Sequence, residues 1–116
     1  MTLYSAPGAP DAKVQYKNQY DNFIGGKWVP PVKGDYFDVV TPTTGKVYTK
    51  AARSTAEDVE LALDAAHAVA EQWGKTDHGT RSNVLLKIAD RIEANLEMLA
   101  YAETIDNGKA IRETLN

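Results

Sequence analysis

Residues 22–29 read NFIGGKWV, and this pattern predicts a tight β-hairpin. Two short segments with aromatic and β-branched side chains flank Gly25 and Gly26. A two-residue type I′ turn needs a positive φ at both positions, and glycine adopts that conformation without steric cost. Pro30 and Pro31 then end the second strand, because proline has no N–H to give to the ladder.

A second hairpin is predicted directly after the first, over residues 36–51. Its strands, 36–40 and 46–51, are joined by a connection with an early proline, Pro42, and a late glycine, Gly45, which is typical of a turn. The second strand alternates in character, which predicts one covered face formed by Val47, Thr49 and Ala51. Small hairpins are marginally stable alone, so both need a larger body to lie on.

Helical periodicity begins after residue 53. Two overlapping capping boxes could start the first helix, Ser54 with Glu57 or Thr55 with Asp58, and the sequence alone leaves both open. Gly74 is the expected left-handed stop of this helix. Apolar residues at three- and four-residue spacing form one alanine-rich stripe between them: Val59, Ala62, Leu63, Ala66, Val69, Ala70 and Trp73.

A polar linker over residues 75–79 leads to a second helical region over about 80–105. This region should break near Asn95, which is expected to cap a new helical start. The turn residues 106–108 close it. A further helix is expected after this turn, and the sequence ends inside it at Asn116. Because a helix of barely two turns is marginal in water, we expect the chain to be the truncated front of a larger protein.

Residues 1–21 are predicted to form an extended N-terminal arm, because they contain turn residues and no periodic pattern. Three tyrosines interrupt this arm: Tyr4, Tyr16 and Tyr20. A solvated tail would gain nothing from three tyrosines, which suggests that the arm docks on another surface. A frayed terminus is the simpler alternative, and the sequence leaves both open.

The composition is that of an ordinary globular protein, with 43% hydrophobic residues, 25% charged residues and a formal net charge of −3. No basic stripe is present to neutralise phosphates, so we expect no nucleic-acid partner. No segment resembles a membrane span or a signal peptide, so we expect no membrane partner and a cytoplasmic location. The chain has no cysteine, which excludes a cysteine nucleophile, a thiolate metal site and a disulfide within these residues.

No motif in the chain carries an active site. The glycine pair of the first hairpin lies between two strands. It is therefore not a phosphate-binding loop, which would join a strand to the N-terminus of a helix. His67 and His78, one expected on a helix and one in a loop, are interpreted as surface residues and not as zinc ligands. Trp28 and Trp73 are expected in the core. Acidic pairs on the helices fit a solvated face, so we assign no catalytic and no cofactor-binding residue to this chain.

The order of these elements and their particular motifs resembles the N-terminal region of the aldehyde dehydrogenase superfamily. The resemblance covers about Asn22 to Asn116. It rests on five stretches in the expected order: NFIGGKW at 22–28, VTPTTGKV at 40–47, EDV at 57–59, RSNVLLKIADRI at 81–92 and ETIDNGK at 103–109. Each stretch alone is weak, but five in register are specific, and the last is the most specific of them.

This resemblance implies an α/β parent protein with a Rossmann-type cofactor domain, of which residues 22–116 are the N-terminal portion. The segment itself is expected to be α+β, with two antiparallel hairpins followed by amphipathic helices. The resemblance further implies a homodimer or homotetramer that oxidises aldehydes to carboxylic acids with NAD or NADP. The family's cysteine, glutamate and asparagine for this reaction all lie downstream, so this chain is expected to be structural and catalytically silent.

The resemblance also implies one binding site within the chain. Some members of the family hold Na⁺ or K⁺ with a carboxylate at the position of Asp106 and backbone carbonyls at the positions of Val39 and Val40. Such ions prefer oxygen ligands, and backbone carbonyls need no special side chain. The alternative is that Asp106 merely accepts N–H hydrogen bonds at the end of its helix.

A different class of function stays open on the sequence alone. The hairpins and amphipathic helices could form a stand-alone, non-catalytic module that binds other proteins. A reading frame that continues for several hundred residues and includes a cysteine nucleophile would favour the enzyme over this module.

Overall fold

The computed structural model describes residues 4–116, so the first three residues of the predicted arm lie outside the described part. Within these residues two β-hairpins are followed by four helices, in the predicted order. The elements are β1 (Asn22–Ile24), β2 (Lys27–Val29), β3 (Tyr36–Thr41), β4 (Lys46–Ala52), α1 (Ala56–Gly74), α2 (His78–Ala94), α3 (Leu96–Asn107) and α4 (Ile111–Thr114).

The first hairpin forms as predicted, with Phe23 opposite Trp28 across β1 and β2. Gly25 and Gly26 have φ values of +60° and +79°, the pair of positive angles that a type I′ turn requires. The expectation that both tryptophans lie in the core is wrong. Trp28 is 56% exposed, because Phe23, Tyr20 and Lys17 cover its ring only in part, and Trp73 on α1 is 48% exposed.

The second hairpin contains a β-bulge that the sequence analysis did not predict. Val39 pairs with Thr49 and Val40 with Val47, so Tyr48 is an extra residue on β4 with no partner on β3. The predicted covered face is therefore wrong at Val47, which is 51% exposed, whereas Thr49 is buried. A bulge bends its strand and redirects side chains, and here it lets the Tyr48 hydroxyl reach α3.

Helix α1 begins with one of the two predicted capping boxes. The Asp58 Oδ2 atom accepts the backbone N–H of Thr55 at 2.8 Å, whereas the Ser54 hydroxyl donates instead to Asn22 Oδ1 at 2.9 Å. Asp58 is 3% exposed, and its Oδ1 atom also accepts the N–H of Val32 at 2.9 Å. One carboxylate thus caps the helix and holds the segment between β2 and β3 against it.

Helix α1 ends at Gly74, but not by the predicted left-handed stop. Lys75 follows with a right-handed φ of −86°, and its N–H still bonds to helical carbonyls. The Thr76 hydroxyl donates to the Trp73 carbonyl at 2.6 Å and so satisfies the helix end. A polar side chain therefore replaces the glycine stop.

Helix α2 begins earlier than predicted, because Asp77 caps it by accepting the Thr80 N–H at 2.8 Å. The predicted break occurs at Asn95, but the reason differs from the one expected. The Asn95 side-chain amide donates to the Arg91 carbonyl at 2.8 Å, so it satisfies the end of α2 instead of capping α3. Helix α3 then ends as predicted in a turn with a left-handed glycine, Gly108, whose φ is +79°.

The buried apolar residues among those described all lie on α3: Ala100, Tyr101 and Ile105. Helix α3 packs against β3, α2 and α4, and α1 packs mainly against β1. The large apolar side chains of the first two helices are exposed by between 39% and 67%: Val59, Leu61, Leu63 and Val69 on α1, and Val84, Leu85, Leu86, Ile88 and Ile92 on α2.

The described chain is also more expanded than a compact domain of its length. Its radius of gyration is 17.6 Å, whereas a compact domain of this size would have about 13 Å. Two amphipathic helices therefore present apolar faces that nothing in residues 4–116 covers. No helix in the described range is both long and apolar enough to cross a membrane.

Asp58 generates a pH-dependent prediction. The N–H groups of Thr55 and Val32 hold its pKa below the ordinary value of 3.8. The charged carboxylate therefore adds stability above that pH, and this contribution is lost as the pH falls through the lowered native pKa. We expect Asp58→Asn to lower the thermal unfolding midpoint of the natively expressed protein by several degrees at neutral pH. Below about pH 5 its midpoint should decline less steeply than that of the wild type.

Asp77→Asn is the matched control for this experiment. Asp77 also caps a helix, but it is exposed, and asparagine is as good a capping residue as aspartate. Its substitution should leave the midpoint at neutral pH nearly unchanged. Equal losses in the two variants would contradict the role given to the buried carboxylate.

Candidate cation site at the end of helix α3

Asp106 lies in the last turn of α3, and the residues after it lie against the turn that follows β3. A Cβ atom at Gly108 would lie 3.1 Å from Pro42 Cγ, a tight contact, and the φ of +79° also favours glycine at this position. Gly108 therefore supplies both the left-handed conformation and the space for Pro42. The contact holds the end of α3 beside the second hairpin.

The Asp106 carboxylate is held by Tyr48, whose O–H donates to Oδ1 at 3.0 Å. Burial first, and the hydrogen bond to Asp106 second, raise the pKa of Tyr48 far above the ordinary value of 10.0. The phenol is therefore protonated at neutral pH and remains a donor. Sequence reasoning missed Tyr48, because strict alternation along β4 assigned it to the outer face and a bulge has no clear sequence pattern.

The position of Asp106 is electrostatically unfavourable without a positive partner. The C-terminal end of a helix is the negative end of its dipole. Helix α3 has an acidic residue there and no basic residue in its last turn. The hydrogen bond from Tyr48 offsets part of this cost, and a bound cation would offset more.

Val39 and Val40 occupy β3 on either side of the register shift. The unpaired residue of this bulge is Tyr48 on β4, while Val39 and Val40 both keep partners across the ladder. Val40 pairs with Val47, the residue before Tyr48, and Tyr48 contacts Asp106. Helix α3 also packs against β3, the strand that carries Val39 and Val40.

The predicted donor set, one carboxylate and backbone carbonyls, would suit a hard cation better than zinc. Across residues 4–116 no three histidine or acidic side chains come together to bind a metal ion. His67 and His78 are both exposed, as predicted, although His78 is the first residue of α2 and not a loop residue.

A separate groove of about 510 Å³ runs between α2 and α3. Its lining is mostly apolar, with two basic side chains and an amide: Val84, Lys87, Ile88, Arg91, Ile92, Asn95, Met98 and Leu99. The lining contains no carboxylate, histidine or hydroxyl, so it offers a packing surface and not a catalytic centre.

A model of the aldehyde dehydrogenase family matches residues 28–116, which is most of the chain. The chain belongs to this family. The resemblance inferred from the five sequence motifs is therefore confirmed, over nearly the predicted range.

Individual members of the family are similar over almost the whole chain. An aldehyde dehydrogenase from Deinococcus radiodurans is 69% identical over 97% of this chain and 22% of its own length. A long-chain-aldehyde dehydrogenase from an Acinetobacter species is 62% identical over the same shares. The solved structure of PnpE in complex with nicotinamide adenine dinucleotide has a TM-score of 0.80 at 38% identity, covering 87% of this chain and 20% of PnpE. The chain thus spans about a fifth of the length of the relatives it matches.

Proposed function

We propose that this chain is the N-terminal part of an enzyme that oxidises aldehydes to carboxylic acids with NAD or NADP. The observation that carries the proposal is the match of the aldehyde dehydrogenase family to residues 28–116. PnpE, a similar solved structure, is a complex with NAD, which supports a nicotinamide cofactor as the hydride acceptor. The long-chain-aldehyde dehydrogenase from Acinetobacter supports an aldehyde as the class of substrate.

In this proposal the reactive groups come from the remaining polypeptide. The chain contains no cysteine, so the nucleophile lies outside these residues. We place the dinucleotide site outside these residues as well, because Gly25 and Gly26 join two strands and not a strand and a helix. The contribution of this chain to catalysis is therefore structural.

The structural role we propose is that of one layer of a Rossmann-type cofactor domain. Residues 22–116 would form its N-terminal portion, and residues 1–21 would form an arm. The exposed apolar faces of α1 and α2 support this role, since soluble proteins rarely leave such faces uncovered. The family resemblance supports a homodimer or homotetramer in the cytoplasm.

The same exposed faces favour one alternative from a different class. A stand-alone module could use α1 and α2 to bind another protein, with no catalysis. The two proposals differ in the size of the native protein and in whether it turns over an aldehyde.

The natively expressed protein that contains this chain tests the enzyme proposal. We expect an intact mass several times the 12.7 kDa of these residues. We also expect aldehyde-dependent reduction of NAD or NADP, followed by absorbance. A variant with alanine at the downstream nucleophilic cysteine serves as the inactive control. A native protein of 12.7 kDa without dehydrogenase activity would contradict the enzyme and support the module.

We further propose that Asp106, with the backbone carbonyls of Val39 and Val40, takes part in holding Na⁺ or K⁺. The negative helix end, the packing of α3 against the strand that carries both valines, and an all-oxygen donor set support this proposal. A purely structural carboxylate is the alternative, and the hydrogen bond from Tyr48 is compatible with it.

Unfolding in matched salts distinguishes the two roles of Asp106. We expect NaCl or KCl to raise the thermal midpoint of the native protein above its value in choline chloride at the same ionic strength. A cation at a hundredfold excess over its Kd would add about 2.7 kcal/mol. Asp106→Asn keeps an acceptor for Tyr48 and should abolish the difference, while Glu103→Gln, one turn earlier and exposed, should preserve it. An equal salt response in all three proteins would remove the cation site.

A further inference from the structure

Residues 4–20, called the docked arm below, are attached to α3 by a buried tyrosine. Tyr101 is 1% exposed, and its hydroxyl donates to the Ser5 carbonyl at 2.7 Å. The Tyr4 ring lies beside it, with ring centroids 6.2 Å apart. Lys13 also pairs with Glu97 on α3 at 3.2 Å, but both side chains are substantially exposed, so this ion pair adds little. The buried phenol is the stronger attachment, because a buried hydroxyl needs a partner.

The docked arm is attached a second time along β4. The Lys17 carbonyl accepts from the Thr49 hydroxyl at 2.7 Å, and the Tyr20 N–H donates to the Lys50 carbonyl at 2.9 Å. Tyr20 also forms a parallel bridge with Ala51. The arm thus pairs with residues 49–51 at the edge of β4, where a two-stranded sheet would otherwise leave backbone groups open.

Between these two attachments Tyr16 lies against the residue that holds Asp106. The rings of Tyr16 and Tyr48 meet edge to face, with centroids 4.7 Å apart and planes at 69°. Burial raises the pKa of Tyr16 to about 12, so it is uncharged at neutral pH, as Tyr48 is. The Tyr16 hydroxyl is buried and has no hydrogen-bond partner within residues 4–116, so packing alone holds this ring.

We propose that Tyr48 is a positioning residue for the Asp106 carboxylate. We further propose that the docked arm holds the Tyr48 ring in place through the packing of Tyr16 against it, and in this role the arm is called the strap. When the strap is loosened, the Tyr48 ring is released and the last turn of α3 opens more often. This coupling depends only on contacts within residues 4–116. It therefore holds whether or not the site binds a cation and whatever reaction the native protein performs.

Hydrogen exchange of the natively expressed protein, followed by mass spectrometry, measures the opening of this turn. We expect Tyr48→Phe to speed exchange in peptides that cover the last turn of α3 by about tenfold, roughly the factor that one hydrogen bond to a charged group contributes. Tyr36→Phe is the matched control, because Tyr36 donates to Asp21 Oδ1 at 2.5 Å in a phenol–carboxylate pair away from α3. Unchanged exchange in Tyr48→Phe, or an equal increase in Tyr36→Phe, would overturn the positioning role.

Tyr16→Leu tests the strap separately, since leucine keeps an apolar side chain and removes the ring contact. We expect it to speed exchange of the same turn several-fold. The double variant Tyr16→Leu/Tyr48→Phe should exchange no faster than Tyr48→Phe alone, because both substitutions act through one contact. Additive effects would overturn the coupling. A parallel increase in peptides from α2 would indicate general destabilisation and would overturn it as well.

Discussion

The packing of α3 against the second hairpin and the arm is the interaction on which the remaining structure depends. Ala100, Tyr101 and Ile105 on this helix are the buried apolar residues of the described chain. The Tyr101 hydroxyl donates a hydrogen bond to the arm, and the Asp106 carboxylate accepts one from Tyr48 on the bulged strand β4. The close approach of Gly108 to Pro42 lies at the same end of α3, beside the second hairpin. Asp58 at the start of α1 is also buried, but the large apolar side chains of α1 and α2 are exposed by between 39% and 67%.

Local chemistry was enough to predict much of the fold. Two adjacent glycines predict a type I′ hairpin because few other residues adopt both positive φ angles at low cost. The break near Asn95 and the closing turn at residues 106–108 were visible in the sequence, and the pair Thr55 and Asp58 was one of two predicted capping boxes. Each of these features depends on neighbours within about four residues, which is the range that sequence patterns report reliably.

Features that depend on distant residues were missed or misjudged. The bulge at Tyr48 lies within a strand whose sequence alternates regularly. The hydrogen bond that this bulge allows joins Tyr48 to Asp106, which is 58 residues away along the chain. The docking of the arm was left open for the same reason, because Ser5 and Tyr101 are 96 residues apart. Trp28 and Trp73 were placed in a core on their residue type alone. Within residues 4–116 both rings are covered only in part, so residue type alone did not decide their burial.

The exposed faces of α1 and α2 connect the structure to the proposed function, because a layer with uncovered apolar helices needs a partner. Residues 1–116 expressed alone test this most directly, by their amide NMR spectrum and their sedimentation. Without the partner layer, we predict broad, poorly dispersed resonances, binding of a hydrophobic dye and self-association. Sharp, dispersed resonances from a stable monomer would contradict the claim that these helices are completed by the remaining polypeptide.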